Sequence, residues 1–66
     1  MKLHEVPNNT EIRVIGGVKT PPASLPIKEE DIIFFSHIDG MYSHCNNSKG
    51  EVVHLVAWAE VEIVER

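Results

Sequence analysis

The stretch Ile32-Ile33-Phe34-Phe35-Ser36-His37-Ile38-Asp39-Gly40-Met41-Tyr42-Ser43-His44-Cys45 decides the fold. Two runs rich in β-formers meet at an Asp-Gly pair. Asp39-Gly40 tolerates the positive φ angles of a type I′ turn, whose twist suits a β-hairpin. A polar turn, Asn46-Asn47-Ser48-Lys49-Gly50, follows, and then the apolar run Val52-Val53-His54-Leu55-Val56. The expectation is a three-stranded antiparallel meander.

Toward the N-terminus, Pro7-Asn8-Asn9-Thr10 reads as a turn launching a strand. In Glu11-Ile12-Arg13-Val14-Ile15 the alternation sets Ile12 and Val14 on one face, Glu11 and Arg13 on the other. Gly16-Gly17 ends that strand. The segment 18–27 carries Pro21, Pro22 and Pro26, which rules out a central strand or a helix. It reads as a long ordered loop with Leu25 and Ile27 tucked inward. Toward the C-terminus, Ala57-Trp58-Ala59-Glu60 suits a single 3₁₀ turn. Val61-Glu62-Ile63-Val64 is a last strand with Val61 and Ile63 inward.

Strand, long loop, strand, tight turn, strand, polar turn, strand, helical turn, strand is the order of an SH3-like small barrel. The expected fold is therefore all-β: a five-stranded SH3-like barrel with a proline-rich loop after the first strand, as one domain over residues 1–66. An OB-like barrel is the alternative, but it commonly carries a helix between its third and fourth strands, and no segment here suits one. The expected core is Ile12, Val14, Phe34, Ile38, Leu55, Val61 and Ile63.

A chain of 66 residues is only marginally stable alone, so a compact barrel or a partner subunit would help. Its single cysteine permits no internal disulfide, in keeping with a reducing cytoplasm. No apolar run approaches about 20 residues, and Met1-Lys2-Leu3-His4-Glu5 lacks the apolar stretch of a signal peptide. Net charge is −4, and the six lysines and arginines are scattered. Duplex nucleic acid is held mainly by phosphate neutralisation, so this balance disfavours a nucleic-acid-binding barrel. A small anionic ligand in a local pocket stays compatible with it.

With Asp39-Gly40 at the centre of the turn, Ile38 faces Met41, His37 faces Tyr42, Ser36 faces Ser43 and Phe35 faces His44. Phe34, Ser36, Ile38, Met41, Ser43 and Cys45 then share the better core face. Phe35, His37, Tyr42 and His44 form a contiguous patch on the other, under the proline loop or another subunit. Exposed aromatic patches mark contact surfaces. With Trp58 from the turn before the last strand, these four are the candidate binding residues.

Other constellations carry less. His37, His44, Cys45 and His54 invite a zinc reading, but zinc wants convergent ligands, commonly in close-spaced pairs. His44 and Cys45 are adjacent on a strand and point to opposite faces, so at most three of the four converge. No metal and no cofactor is expected. A Cys45–His54 nucleophile pair would need both on the core face, where a free cysteine is ordinarily a small apolar side chain. Glu60, Glu62 and Glu65 read as a solvated edge that deters strand addition. Gly16-Gly17 has no following helix and so cradles no phosphate. No catalytic residues are expected.

Asp39-Gly40-Met41-Tyr42-Ser43-His44-Cys45, together with Gly50-Glu51-Val52-Val53-His54-Leu55-Val56-Ala57-Trp58-Ala59-Glu60-Val61, resembles uncharacterised small proteins encoded by bacteriophages and prophages, over the C-terminal half of the chain. The resemblance implies a viral or mobile-element accessory protein in a bacterial cytoplasm, and no catalytic residues. The leading expectation is a non-enzymatic module that binds a host or viral protein or self-associates. The alternative is a nucleotide-signal binder, with Tyr42, Trp58, His37 and His44 as stackers and Arg13 or Lys19 as cations.

Overall fold

The computed structural model describes residues 1–22 and 24–65; Ala23 and Arg66 lie outside the described residues. The chain is all-β. Strands β1 (Thr10–Gly16), β2 (Ile32–Asp39), β3 (Tyr42–Asn46), β4 (Val52–Val53) and β5 (Glu60–Ile63) form one antiparallel sheet in the order β4-β3-β2-β1-β5. β4 and β5 are not paired with each other, so the sheet is not closed. The only helical element among the described residues is one 3₁₀ turn, Leu3–Glu5. It seats Leu3 in the core, an element the sequence reading did not anticipate. Among the described residues no helix is long and apolar enough to cross a membrane.

β1 begins and ends where the local chemistry asks. Asn9 takes the left-handed conformation that Asn accepts better than most residues, with φ 59°. Ile12 and Val14 are fully buried between β2 and β5, opposite Ile33 on one side and Ile63 and Val61 on the other. The core also holds Leu3, Val6, Ile27, Phe35, Cys45, Val53, Leu55, Val56 and Ala59. At the other end, Ala59 N–H donates to Val56 C=O at 3.1 Å, forming a hydrogen-bonded turn there but not the 3₁₀ helix expected.

The β2–β3 hairpin corrects the expected register. Its two turn residues are Gly40 and Met41, with Asp39 opposite Tyr42, Ile38 opposite Ser43 and His37 opposite His44. Gly40 has φ 68° and Met41 does not share a positive φ. This is the pattern of a type II′ turn, which wants glycine first, rather than type I′ with Asp39-Gly40 central. Asp39 is thereby left extended as the last residue of β2. A β-bulge follows: from Phe35 to His37 the chain advances two residues, while β3 advances one, from Cys45 to His44.

The bulge inverts the first half of β2. Ile33 and Phe35 point into the core; Ile32 and Phe34 point out. Phe35, expected on the surface, is fully buried, and Phe34, expected in the core, is 43% exposed. Met41, expected on the core face, is exposed in the turn. Beyond the bulge the expected facing holds, with Ile38 packed against the core and His37 outward. Ile63 shares a face with Val61 but lies at the far end of β5, where too little chain covers it, and it is exposed. In the loop, Ile27 is buried as expected whereas Leu25 is exposed.

Other parts of the chain lie beside both ends of the sheet. Just after β4, His54 N–H donates to Ser24 Oγ at 3.1 Å, and Val56 N–H donates to Lys19 C=O at 2.9 Å, so the proline-rich loop runs beside this segment. Along β5, Val61 N–H donates to Met1 C=O and Leu3 N–H donates to Ala59 C=O. Covered edges remove the open hydrogen-bonding groups that otherwise recruit strands from other chains.

Two predictions arise here. Gly40→Val is expected to cost about 1–3 kcal/mol. Nothing lies within 4 Å of the added Cβ, so the cost is that of a β-branched residue at positive φ, and Gly40→Asn should lose much less. Urea titration of both variants checks this. Second, Lys2 Nζ lies 2.7 Å from Glu60 Oε1. Hydrogen bonds from Lys2 first, and from the Met1 amino group next, hold the Glu60 carboxyl below its ordinary range. A depressed acid stabilises the fold above the ordinary carboxylate range, and that contribution is lost as pH falls through the lowered value. Wild type should melt slightly above Glu60→Gln at neutral pH, the two converging in acid. The pair is exposed, so the gap is small.

Candidate functional site

The outward face of β2, β3 and β4 carries the molecule's most unusual surface. Cross-strand pairing places Phe34 opposite Asn46 and Asn46 opposite Val52. Ile32 continues the outward side of β2, opposite Arg13 of β1, which is ion-paired to Glu62. Ile32, Phe34 and Val52 are each more than 40% exposed, an apolar group on one face rather than scattered residues.

Beyond the bulge the same face carries three histidines from three adjacent chain segments. The His37 and His44 rings stack with centroids 5.3 Å apart and planes within 9°. His54 meets His44 edge-on, with centroids 5.8 Å apart. The two-residue turn at Gly40-Met41 makes His37 and His44 direct cross-strand partners, and the bulge beyond His37 turns Phe34 rather than Phe35 outward beside them.

Ser43 holds this arrangement from beneath. It is fully buried on the core face of β3. Its Oγ donates to Leu55 C=O at 2.8 Å and accepts from Leu55 N–H at 3.2 Å. The hydroxyl thus takes a ladder position that a backbone carbonyl would normally fill. The carbonyl of Ser43 is left to accept from His54 Nδ1–H at 2.9 Å. A carbonyl only accepts, so that contact fixes the proton on Nδ1 and leaves Nε2 of the neutral ring free. His37 Nδ1 is likewise 3.0 Å from Ser36 Oγ, the bulged residue. Ser43→Ala should destabilise the domain by about 1–3 kcal/mol, because Leu55 N–H would be buried without an acceptor. A denaturant titration reads the loss.

The candidate residues from sequence divide as follows. His37 and His44 come together. Tyr42 lies opposite Asp39, is bridged to Val56 and is half-buried against the core. Phe35 is in the core and contributes nothing to the surface. Trp58 is exposed on the turn after Val56-Ala57, and Ala57 N–H donates to Met41 C=O at 2.9 Å. Trp58 and Met41 therefore sit on adjoining turns, and Trp58 makes no ring contact with the histidine row among the described residues. Sequence reading missed Ile32, Phe34, Val52 and the place of His54. Alternation within β3 and β4 held the signal for His54, but the inversion along β2 hid Phe34.

Cys45 and His54 are not a catalytic pair. The Cys45 thiol is buried, 3.2 Å from Ser43 Oγ, and burial pushes its pKa up. The His54 ring lies on the opposite face, against His44. A protonated thiol without a base in reach is a poor nucleophile. A groove of about 390 Å³ opens where the loop returns to β2, between Pro26, Asp31, Ile32 and the turn at Asn47-Lys49. Lys49 faces it together with Glu30 and Asp31, a poor charge balance for a nucleotide. Tyr42, Trp58, His37, His44, Arg13 and Lys19 do not line it. Among the described residues no three His, Cys, Asp or Glu side chains stand around a common metal position.

Comparisons with protein-family models, curated proteins and solved structures return no match to this chain.

Proposed function

We propose that the chain is a non-enzymatic protein-binding module on an SH3-like barrel, a phage-type accessory protein acting on a host or viral protein in a bacterial cytoplasm. The strand order β4-β3-β2-β1-β5, with a single turn leading into β5, supports the barrel reading. The observation that carries the binding reading is the outward face. Ile32, Phe34 and Val52 lie exposed beside three clustered histidines, while the segment after β4 and the start of β5 are already bonded by the proline-rich loop and the N-terminal segment. A partner then docks on the face, with Phe34 as the central aromatic anchor. Such anchors dominate interface energetics.

Phe34→Ser tests this. The variant should keep the wild-type melting curve and lose at least about tenfold in affinity for a protein retained by the wild-type domain from bacterial lysate, about 1.4 kcal/mol. Sedimentation of the same pair separates self-association from a foreign partner, since a homodimer through this face would dissociate in the variant. Equal retention and equal sedimentation by both proteins would remove the outward face from the account.

A further inference from the structure

We propose that the partner docks through an extended segment carrying an arginine, which enters the groove at the start of β2 while an apolar neighbour lies on Phe34. The inference rests on the protein-binding reading above and names the chemistry of the partner.

Continuity of the surface is the first support. Ile32 belongs to the exposed face with Phe34 and Val52, and it also lines the groove of about 390 Å³. The apolar patch therefore runs into the groove, and an extended segment lying along it reaches both. Inside the groove, Pro26, Ile27, Ile33 and Val53 extend the apolar lining. Such a lining suits the methylene stem of a long basic side chain, which buries its carbons and keeps its charged head among polar groups.

Charge is the second support. Glu30 and Asp31 line the groove together with Lys49, two acids against one cation. The ion pairs among the described residues engage Glu60 and Glu62, so neither groove carboxylate is ion-paired, and Lys49 pairs with neither of them. Arg13, the cation opposite Ile32 on β1, is committed to Glu62. The open charge is thus acidic and calls for a cation from outside. A planar guanidinium bonds two carboxylates at once, which an ammonium does less well. A second copy of the chain is a poor occupant, since it would set a net charge of −4 against itself.

The acidic side is also fixed in place. Glu30 N–H donates to Val14 C=O at 2.7 Å, and Val14 N–H donates to Asp31 C=O at 2.9 Å. Asp31 Oδ2 accepts from Lys28 N–H at 2.9 Å. These bonds tie the two acidic residues to β1, so less ordering is left to pay when a cation arrives. Lys49 is the one lining group that opposes a cation, and its removal separates this proposal from a general loss of contact.

A phage-displayed library of random peptides, selected on the wild-type domain, tests the proposal. Enriched peptides should carry arginine close to an aliphatic or aromatic residue. Fluorescence anisotropy then follows one enriched peptide on each variant, with melting curves to check that the variants are folded. Glu30→Gln and Asp31→Asn should each weaken binding about tenfold, the size of one lost charge-assisted hydrogen bond. Lys49→Ala should strengthen it about threefold by relieving repulsion. Citrulline in place of the peptide's arginine should lose as much as the carboxylate changes. Enrichment without arginine, or a peptide that needs Phe34 but ignores Glu30→Gln and Asp31→Asn, overturns this inference and leaves the docking face standing. A peptide indifferent to Phe34→Ser as well removes both readings. No enrichment, or weaker binding by Lys49→Ala, also overturns the arginine-bearing segment.

Discussion

Val61→Asp is expected to abolish the folded state. Val61 is fully buried on β5, directly opposite Val14 on β1, and among the described residues the surrounding core holds no cation. An unpaired carboxylate there costs several kcal/mol, through its charge or through the protonation that neutralises it. Total stability of a domain this small is about the same size, so little native protein would survive. Far-ultraviolet circular dichroism should show the loss of sheet at 25 °C. Ile63→Asp is the control: it sits on the same strand and the same face but is exposed, and it should stay folded. A cooperative wild-type melt from Val61→Asp would mean that β5 does not pack as described.

Phe35→Ala is expected to cost about 3–5 kcal/mol, the range for deleting a buried aromatic ring from a core. Phe35 is the largest fully buried side chain and lies opposite Cys45. Its neighbour Phe34 points outward, and Phe34→Ala should change stability by no more than about 0.5 kcal/mol. Denaturant midpoints of the two variants give the contrast directly. Equal losses would place both rings in the core. A larger loss at Phe34 would restore the register with Asp39-Gly40 at the centre of the turn.

That contrast marks the limit of what could be read from the chain. The all-β class, the hairpins, the first strand with Ile12 and Val14 inward, and a turn near Trp58, hydrogen-bonded but not the 3₁₀ helix expected, all follow from local rules of alternation and turn chemistry. The placement of the first hairpin does not. Asp-Gly serves equally as the two centres of a type I′ turn, or as the residue before and the first centre of a type II′ turn. The two differ by one residue, and one residue moves every side chain to the other face. The bulge at Ser36 has no marker in composition, and it reverses the facing of Phe34 and Phe35 while leaving His37 where alternation had it. Ile63 and Leu25 are exposed for a different reason: each follows a plausible pattern but lies where this small chain has no further element to cover it. Leu3 and Val6 are buried from a segment too short for periodicity to register.

The functional reading inherits the same dependence. Phe34 and the histidine row are on the surface together only because the turn sits at Gly40-Met41 and the bulge at Ser36. Ser43 adds a second condition, since its hydroxyl completes the β3 pairing and thereby frees the carbonyl that orients His54.

The register of the β2–β3 hairpin is therefore the central claim, and a nuclear Overhauser spectrum of the histidine and tyrosine rings tests it most directly. The account predicts ring-to-ring cross-peaks between His37 and His44 and between His44 and His54, and none between His37 and Tyr42. Strong His37–Tyr42 cross-peaks together with Phe35–His44 cross-peaks would contradict it, returning Phe35 to the surface and dissolving the site.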